Sequence, residues 1–144
     1  MAQIEFLHFI PEMASYRISH PGNFLVSEDK DGIVTITSPE TDSNLTLSSY
    51  TANGDVSKEI LLDFFYDATE NYTAISEIKS VVTNDRIWIE REFYQGNIFW
   101  IWWALSHANR IIIASINSES ELSEADRHLY TFMIDKMEVY PDED

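Results

Sequence analysis

Two carboxylates that lie two residues apart are the strongest candidates for chemistry in this sequence. Glu90 and Glu92 belong to a run of alternating residue types, so they share one side of a strand, about 7 Å apart at ~3.3 Å per residue. Carboxylates about 6.5–9.5 Å apart are the pair with which inverting glycosidases cleave a sugar. A solvated strand surface has the same pattern, with Lys79 opposite Glu90 as a cross-strand pair. We favour the surface, because no other feature of the sequence completes a catalytic site.

Motifs for other kinds of catalysis are missing from the sequence. The chain has no cysteine, which excludes thiolate nucleophiles, disulfides and cysteine-ligated metals. Its four histidines are scattered without acids at metal-ligand spacing. The four glycines are spread along the chain and form no phosphate-binding loop. We therefore predict no catalytic residue, no metal site and no cofactor.

The charge of the chain restricts its partners. Among 144 residues, 9 Lys and Arg stand against 25 Asp and Glu, for a formal net charge of −16. Such a surface repels nucleic-acid phosphates and anionic membranes, and no segment approaches the roughly 20 apolar residues of a membrane span. The N-terminus lacks the basic start of a signal peptide, and the absence of cysteine fits a reducing compartment. We expect a cytoplasmic protein that binds neither nucleic acid nor membrane.

Hydrophobic periodicity predicts several strands and two helices within one domain of residues 1–144. Helical spacing predicts a helix from Asp55 to about Tyr72, and a stripe that includes Phe132 predicts a closing helix that starts near residues 118–123. The predicted fold is α+β, a single-domain sandwich with a largely antiparallel sheet of about six strands and two main helices. The predicted strands are residues 24–28, 33–37, a segment around Leu45 and Leu47, and residues 74–82, 86–95, 98–107 and 110–117.

Short turns fix which residues of neighbouring strands are paired, and pairing sorts their side chains onto two faces. A turn at residues 96–97 places Arg91 opposite Trp102, and a turn at 84–85 places Val82 opposite Ile87. The face that holds Trp102 is almost entirely apolar, so we predict that it is the core face and is covered by one or both helices. The other face alternates aromatic rings with carboxylates in its middle. We call this middle part the acidic–aromatic patch: Trp88, Glu90, Glu92, Tyr94 and Trp103.

The acidic–aromatic patch is the predicted contact surface for another protein. Aromatic rings supply contact area, and carboxylates steer a basic partner towards the surface. We expect Trp88→Ala or Trp103→Ala to weaken partner capture while the melting temperature stays nearly unchanged. The apolar end of the same face must be covered, for which the segment around Phe6 and Phe9 is available, or it forms an exposed patch that permits a homodimer.

Two stretches of the chain resemble PsbP-like small α/β sandwiches. Residues 16–24 read YRISHPGNF, where that family has a Tyr-x-Ile-x-x-Pro-x-x-aromatic stretch that leads into its sheet. Residues 32–39 and 44–47 are similar to the next two strands of the family, and the order of helix, four-strand meander and closing helix agrees across nearly the whole chain. The resemblance is greater to the bacterial branches than to the plant photosystem subunits. It implies a PsbP-like domain with a non-enzymatic role, since relatives include a small-GTPase-binding protein, photosystem extrinsic subunits and adaptors that cradle hydrophobic segments of secreted effectors.

These observations lead to one main functional hypothesis and one alternative. The main hypothesis is a non-enzymatic protein-binding module or adaptor of the bacterial cytoplasm, which neutralises or escorts a partner that is basic or has an apolar segment. The alternative is a small-ligand carrier or hydrolase with a pocket between sheet and helix. A filled core at that place favours the first hypothesis, and an enclosed pocket containing Arg91 or two carboxylates favours the second.

Overall fold

The computed structural model describes residues 5–142, which form two helices and two antiparallel sheets. The elements in chain order are β1 (Phe6–Phe9), β2 (Tyr16–Pro21), β3 (Leu25–Glu28), β4 (Val34–Thr37), β5 (Asn44–Thr51), α1 (Lys58–Ala68), β6 (Thr73–Ala74), β7 (Lys79–Val82), β8 (Ile87–Gln95), β9 (Ile98–His107), β10 (Arg110–Ser118), α2 (Glu124–Asp135) and β11 (Glu138–Val139). The large sheet has the order β3-β4-β5-β10-β9-β8-β6, with β7 also paired to β8. β1, β2 and β11 form a small sheet with β2 in the middle.

The long strands of the large sheet pair in the predicted register. Arg91 lies opposite Trp102 across β8 and β9, and Val82 lies opposite Ile87 across β7 and β8. Because side chains alternate along a strand, this register decides which face of the sheet each residue occupies. The predicted division of the meander into two faces is therefore confirmed.

Each face of the large sheet is covered by a different helix. α1 packs on the predicted core face, where the ring centroids of Phe65 and Phe93 are 6.1 Å apart. α2 and the small sheet pack on the other face, where Met133 and Ile18 belong to the same buried cluster as Trp103. Burial of each such large side chain contributes about 1.5–3 kcal/mol. Both faces are thus interior over much of their area.

The number of strands differs from the sequence-based prediction. Residues 5–142 contain eleven strands in two sheets, where the pattern predicts one sheet of about six. The predicted strand at 74–82 is divided into β6 and β7, because residues 75–78 place four residues opposite only two on β8, at positions 91 and 92. The small sheet joins strands from opposite ends of the described chain, which no local pattern predicts.

Helix α1 is shorter than predicted at both ends. Its cap is Ser57, whose Oγ accepts a hydrogen bond from the Ile60 N–H at 3.2 Å. At the other end the Thr69 hydroxyl donates to the Phe65 carbonyl at 2.9 Å, and the Thr69 N–H donates to the same carbonyl at 3.1 Å. The chain then leaves the helix before Tyr72, the predicted end.

Helix α2 begins in the predicted window, but it is rotated about its axis from the predicted orientation. Ser123, the last residue of the window, is the cap and accepts a 3.2 Å hydrogen bond from the Asp126 N–H. Phe132 is exposed instead of buried. Neither α1 nor α2 is long and apolar enough to cross a bilayer, within the part of the chain that the structure describes. The buried residues of α2 are Tyr130, Met133 and Ile134.

The turns at either end of β9 provide a matched test of backbone strain. Gly96 and Ala108 have φ angles of +60° and +52°, a region in which a Cβ costs about 1–2 kcal/mol. We expect Ala108→Gly to raise the free energy of unfolding by about 0.5–1 kcal/mol, because the entropy that glycine adds to the unfolded chain offsets part of the relief. Gly96→Ala should lower it by about as much, although its Cβ meets nothing within 4 Å. Urea denaturation measures both values, and a less stable Ala108→Gly variant would contradict this account.

Candidate functional site

The centre of the acidic–aromatic patch is interior, so its predicted accessibility is wrong. Trp103 is 0% exposed and Glu90 is 6% exposed. The Trp103 Nε1–H donates a 2.8 Å hydrogen bond to Glu90 Oε1. The physical reason for the error is that α2 and the small sheet lie over the middle of this face, in a cluster that includes Met133 and Ile134, and not over its apolar end alone.

Glu92 and Tyr94 also face the α2 side. The Glu92 carboxylate forms an ion pair with the Arg127 guanidinium on the first half of α2. The Tyr94 ring lies edge-on to Phe99, with centroids 5.8 Å apart, and its hydroxyl is 3.5 Å from a carboxylate oxygen of Glu121. These contacts hold α2 and the loop before it against the sheet.

Both members of the candidate carboxylate pair have structural partners. Glu90 Oε2 lies 3.7 Å from Lys79 Nζ, which is the predicted cross-strand pair, and Glu92 is paired with Arg127. A hydrolytic pair must present both carboxyl groups to a substrate. Since Glu90 is buried beneath a helix and hydrogen-bonded to Trp103, the geometry does not favour that chemistry.

Trp88 is the residue of the acidic–aromatic patch that lines an open space. Its half-buried ring forms part of a groove of about 380 Å³ between α2 and the edge strand β7. We call this space the edge groove. Its lining residues are Val81, Arg86, Trp88, His128, Thr131, Phe132 and Asp135.

The walls of the edge groove expose apolar side chains. Val81 pairs with Trp88 across β7 and β8, so the two side chains share one face. Val81 is 53% exposed and Phe132 is 44% exposed. The Phe132 ring also contacts Phe6 of β1, with centroids 5.6 Å apart. Apolar side chains gathered in this way are typical of a binding surface, whereas single exposed ones need no explanation.

Arg86 closes one end of the edge groove. Its guanidinium donates to the Asp135 carbonyl at 2.7 Å, to the Asp135 carboxylate at 3.2 Å and to the Met137 carbonyl at 3.3 Å. These bonds satisfy carbonyls at the C-terminal end of α2, which has no basic residue in its last turn. Arg86 and Asp135 are therefore paired with each other, and the rest of the lining combines the apolar side chains of Val81, Trp88 and Phe132 with those of His128 and Thr131.

The sequence pattern indicates Trp88 as a site residue but not Val81 or Phe132. Val81 could have been found, because the predicted pairing of Val82 with Ile87 places Val81 beside Trp88. Phe132 could not, since apolar residues occupy several sides of α2 and periodicity alone does not give the rotation of the helix. The edge groove is thus a neighbour of the predicted site, and one residue belongs to both.

The opposite face of the sheet carries a second aromatic group, which is only partly covered by α1. The rings of Trp100 and Trp102 are stacked with centroids 5.9 Å apart, and the Tyr72 ring meets each of them edge-on at 5.2 Å. Arg91 does not stack on these indoles. Its Nε–H donates to the Ser76 carbonyl at 2.9 Å, and its guanidinium carbon lies 5.9 Å from the centroid of Phe93.

Ionisable and metal-binding groups give no second candidate. Burial raises the pKa of the Tyr16 and Tyr130 hydroxyls, because a phenolate would lose its hydration in the core. Both rings belong to the cluster under α2, so these shifts reflect packing. Within residues 5–142 no group of three or more histidine, aspartate or glutamate side chains is arranged to hold a metal ion.

Truncation of the buried tryptophan should unfold the protein more easily. We expect Trp103→Ala to lower the free energy of unfolding by about 3–5 kcal/mol, because it leaves a cavity and removes the donor that Glu90 requires. Val82→Ala, which truncates a 58% exposed side chain on β7, is the control and should change stability by less than about 0.5 kcal/mol. Denaturant unfolding compares the two variants. Equal stability of Trp103→Ala and the wild type would show that this indole is not in the core.

The sequence itself has no recognised relatives in two comparisons with known proteins. No protein-family profile matches the chain, and no curated protein matches it. Solved structures do match it in three dimensions, and the following three each share 12% sequence identity with it.

Three of the matching structures have the same overall fold as this chain. Cyanobacterial PsbP (CyanoP) from Synechocystis sp. PCC 6803 superposes with a TM-score of 0.72 over 97% of this chain and 95% of its own. The Ran-binding protein Mog1p of Saccharomyces cerevisiae gives 0.61 over 96% and 97%. A protein from Bacteroides thetaiotaomicron VPI-5482 gives 0.61 over 94% of this chain, which spans only 48% of that one. At this level of identity the likeness concerns the fold alone, and the resemblance to PsbP-like sandwiches is confirmed as one of fold.

Proposed function

We propose that this protein is a non-enzymatic protein-binding module that accepts apolar side chains of a partner in the edge groove. The observation that carries the proposal is the exposure of Val81 and Phe132 on either side of the half-buried Trp88 ring. Aromatic and aliphatic side chains around a partly desolvated pocket are the usual anchors of a protein interface. The fold supports a binding role in general terms, since Mog1p is a Ran-binding protein with the same architecture.

A protein partner fits the edge groove better than a small ligand does. Small-molecule sites bury most of the ligand and orient it with a few free polar groups. Here Arg86 and Asp135 are bonded to each other, and the groove is open along the sheet edge. Glu90 and Glu92, the carboxylates that a hydrolase would need, are engaged beneath α2. The carrier or hydrolase alternative therefore has less support than the binding module.

The charge of the chain defines the kind of partner. A formal net charge of −16 attracts positively charged proteins over long distances and raises their association rate. A second copy of this chain carries the same charge, so self-association through the groove is opposed. A basic partner with an apolar segment would be attracted by the negative charge of this chain and would fill the edge groove with apolar side chains. Such a partner agrees with a cytoplasmic adaptor that neutralises or escorts another protein.

A charge placed in the groove wall should weaken partner binding without unfolding the protein. The test variant is Phe132→Asp, and the matched control is Leu25→Asp, which makes the same change at a 70% exposed residue on β3 at the far edge of the sheet. A partner captured by the wild type from native lysate is identified, purified and titrated against all three proteins. We expect Phe132→Asp to weaken its affinity by at least about tenfold, the loss typical of an interface anchor, and Leu25→Asp to leave it unchanged.

Two results of this titration would contradict the proposal. Equal affinity of the Phe132→Asp variant and the wild type would show that the partner binds elsewhere, provided that both proteins have the same melting temperature. Equal losses in Phe132→Asp and Leu25→Asp would show that the groove has no special role, because a residue at the far edge of the sheet would matter as much. The role of charge itself is measured by the association rate, which should fall as added salt shortens the Debye length to about 8 Å at physiological ionic strength.

A further inference from the structure

The open edge of β7 runs along the edge groove, and we propose that the partner is held there by strand addition. An extended segment of the partner pairs with β7 as a further strand and inserts alternate apolar side chains beside Val81 and Trp88. This inference rests on the proposed function, and it names the part of the partner that enters the groove: an extended segment in which apolar residues alternate with basic ones. Strand addition of this kind combines backbone hydrogen bonds with side-chain pockets.

The hydrogen bonds around β8 show which backbone groups of β7 are free. The Thr83 N–H donates to the Arg86 carbonyl at 2.9 Å, and the Ile75 N–H donates to the Glu92 carbonyl at 3.0 Å. Even-numbered residues of β8 therefore direct their backbone groups to this edge. In an antiparallel ladder the residues that exchange hydrogen bonds alternate with those that do not.

This alternation leaves two residues of β7 with outward backbone groups. Lys79 and Val81, which lie opposite Glu90 and Trp88, direct their N–H and C=O groups to β8. Ser80 and Val82 direct theirs away from the sheet. Within residues 5–142 no strand pairs with this side of β7, and the side chains of all four residues are exposed. Outward N–H and C=O groups on every second residue are the pattern to which an antiparallel strand binds.

A bulge keeps this edge separate from β6. After the Ile75 N–H bond to the Glu92 carbonyl, residues 76–78 leave the ladder, and the Ser76 hydroxyl accepts a 3.0 Å hydrogen bond from the Glu92 N–H. The Arg91 Nε–H donates to the Ser76 carbonyl at 2.9 Å and holds the bulge from the other face. The bulge thus ends β6 and lets the chain rejoin β8 as a short exposed strand.

Side-chain alternation connects the open edge to the groove. Val81 and Trp88 lie on the α2 face, whereas Val82 and its partner Ile87 lie on the α1 face. A strand added to β7 places every second side chain on the α2 face, next to Val81 and opposite Phe132. Bulges and lysines are common devices that protect sheet edges from pairing. Here the bulge and Lys79 stand at one end, and the valines at the other end are 53% and 58% exposed.

The test is an NMR titration of the full-length ¹⁵N-labelled protein with a synthetic hexapeptide of alternating lysine and valine, blocked at both termini. We expect the amide protons of Ser80 and Val82 to move downfield as they acquire acceptors, and the Trp88 indole N–H signal to shift with them. The control amide is that of Val26 on the edge strand β3. The Asp29 N–H donates to the Ile33 carbonyl, so alternation along the pairing with β4 directs the Val26 amide away from the sheet, and it should not move. The control peptide has glutamate in place of each lysine and should bind at least about tenfold more weakly because of the acidic field.

The possible outcomes separate this inference from the proposed function. A shift of the Trp88 indole without shifts of Ser80 and Val82 would overturn strand addition and leave groove binding intact. Shifts at Val26 equal to those at Ser80 would show unspecific edge pairing and overturn the inference, as would equal binding of the glutamate peptide. No shift at any of these groups would contradict both proposals.

Discussion

The burial of Trp103 and Glu90, which are joined by a hydrogen bond from the indole to the carboxylate, is the constraint that separates the interior of the α2 face from its accessible edge. A carboxylate away from water is stable only when it is paired and hydrogen-bonded, and Glu90 has both Trp103 and the Lys79 ammonium as partners. A hydrogen bond to a charged group contributes about 1.5–3 kcal/mol. Two residues further along the strand, Glu92 binds Arg127 of α2. Of two acids that have the spacing of a surface stripe, Glu90 therefore joins neighbouring strands and Glu92 joins the sheet to α2.

The candidate site lies at the edge of the sheet area that α2 covers. The helix lies over Trp103 and stops short of β7, so Trp88 is covered on one side only. Arg86 holds the C-terminal end of α2 at a fixed distance from the sheet edge through the Asp135 carbonyl and carboxylate. Within the described residues the outer edge of β7 is unpaired, and it lies beside the apolar part of the groove. This combination connects the packing of the core to a binding role.

The parts of this structure that local rules decide were predictable from the sequence. Two-residue turns and alternation give the pairing of Arg91 with Trp102 and the two faces of the meander. The rotation of α2 and the face of the sheet that it covers depend on long-range packing, about which sequence periodicity carries no information. Trp103 and Glu90 therefore have the sequence pattern of accessible residues although they are buried. The small sheet was likewise unpredictable, because β11 pairs with β2, which is distant in the sequence. The bulge at residues 75–78 was unpredictable because it is held by a hydrogen bond from the Arg91 side chain to the Ser76 backbone carbonyl, which has no sequence signature. Trp88 belongs both to the predicted patch and to the lining of the edge groove.

The most direct test of this account is hydrogen–deuterium exchange of the free protein, followed by NMR at the indole and backbone N–H groups. Trp103 should exchange most slowly among the four indoles, because its N–H is buried and bonded to Glu90. In β7 the amides of Lys79 and Val81 should be protected, and those of Ser80 and Val82 should exchange freely. Fast exchange of the Trp103 indole would contradict the burial of this face beneath α2, and uniform protection across the four residues of β7 would contradict the open edge.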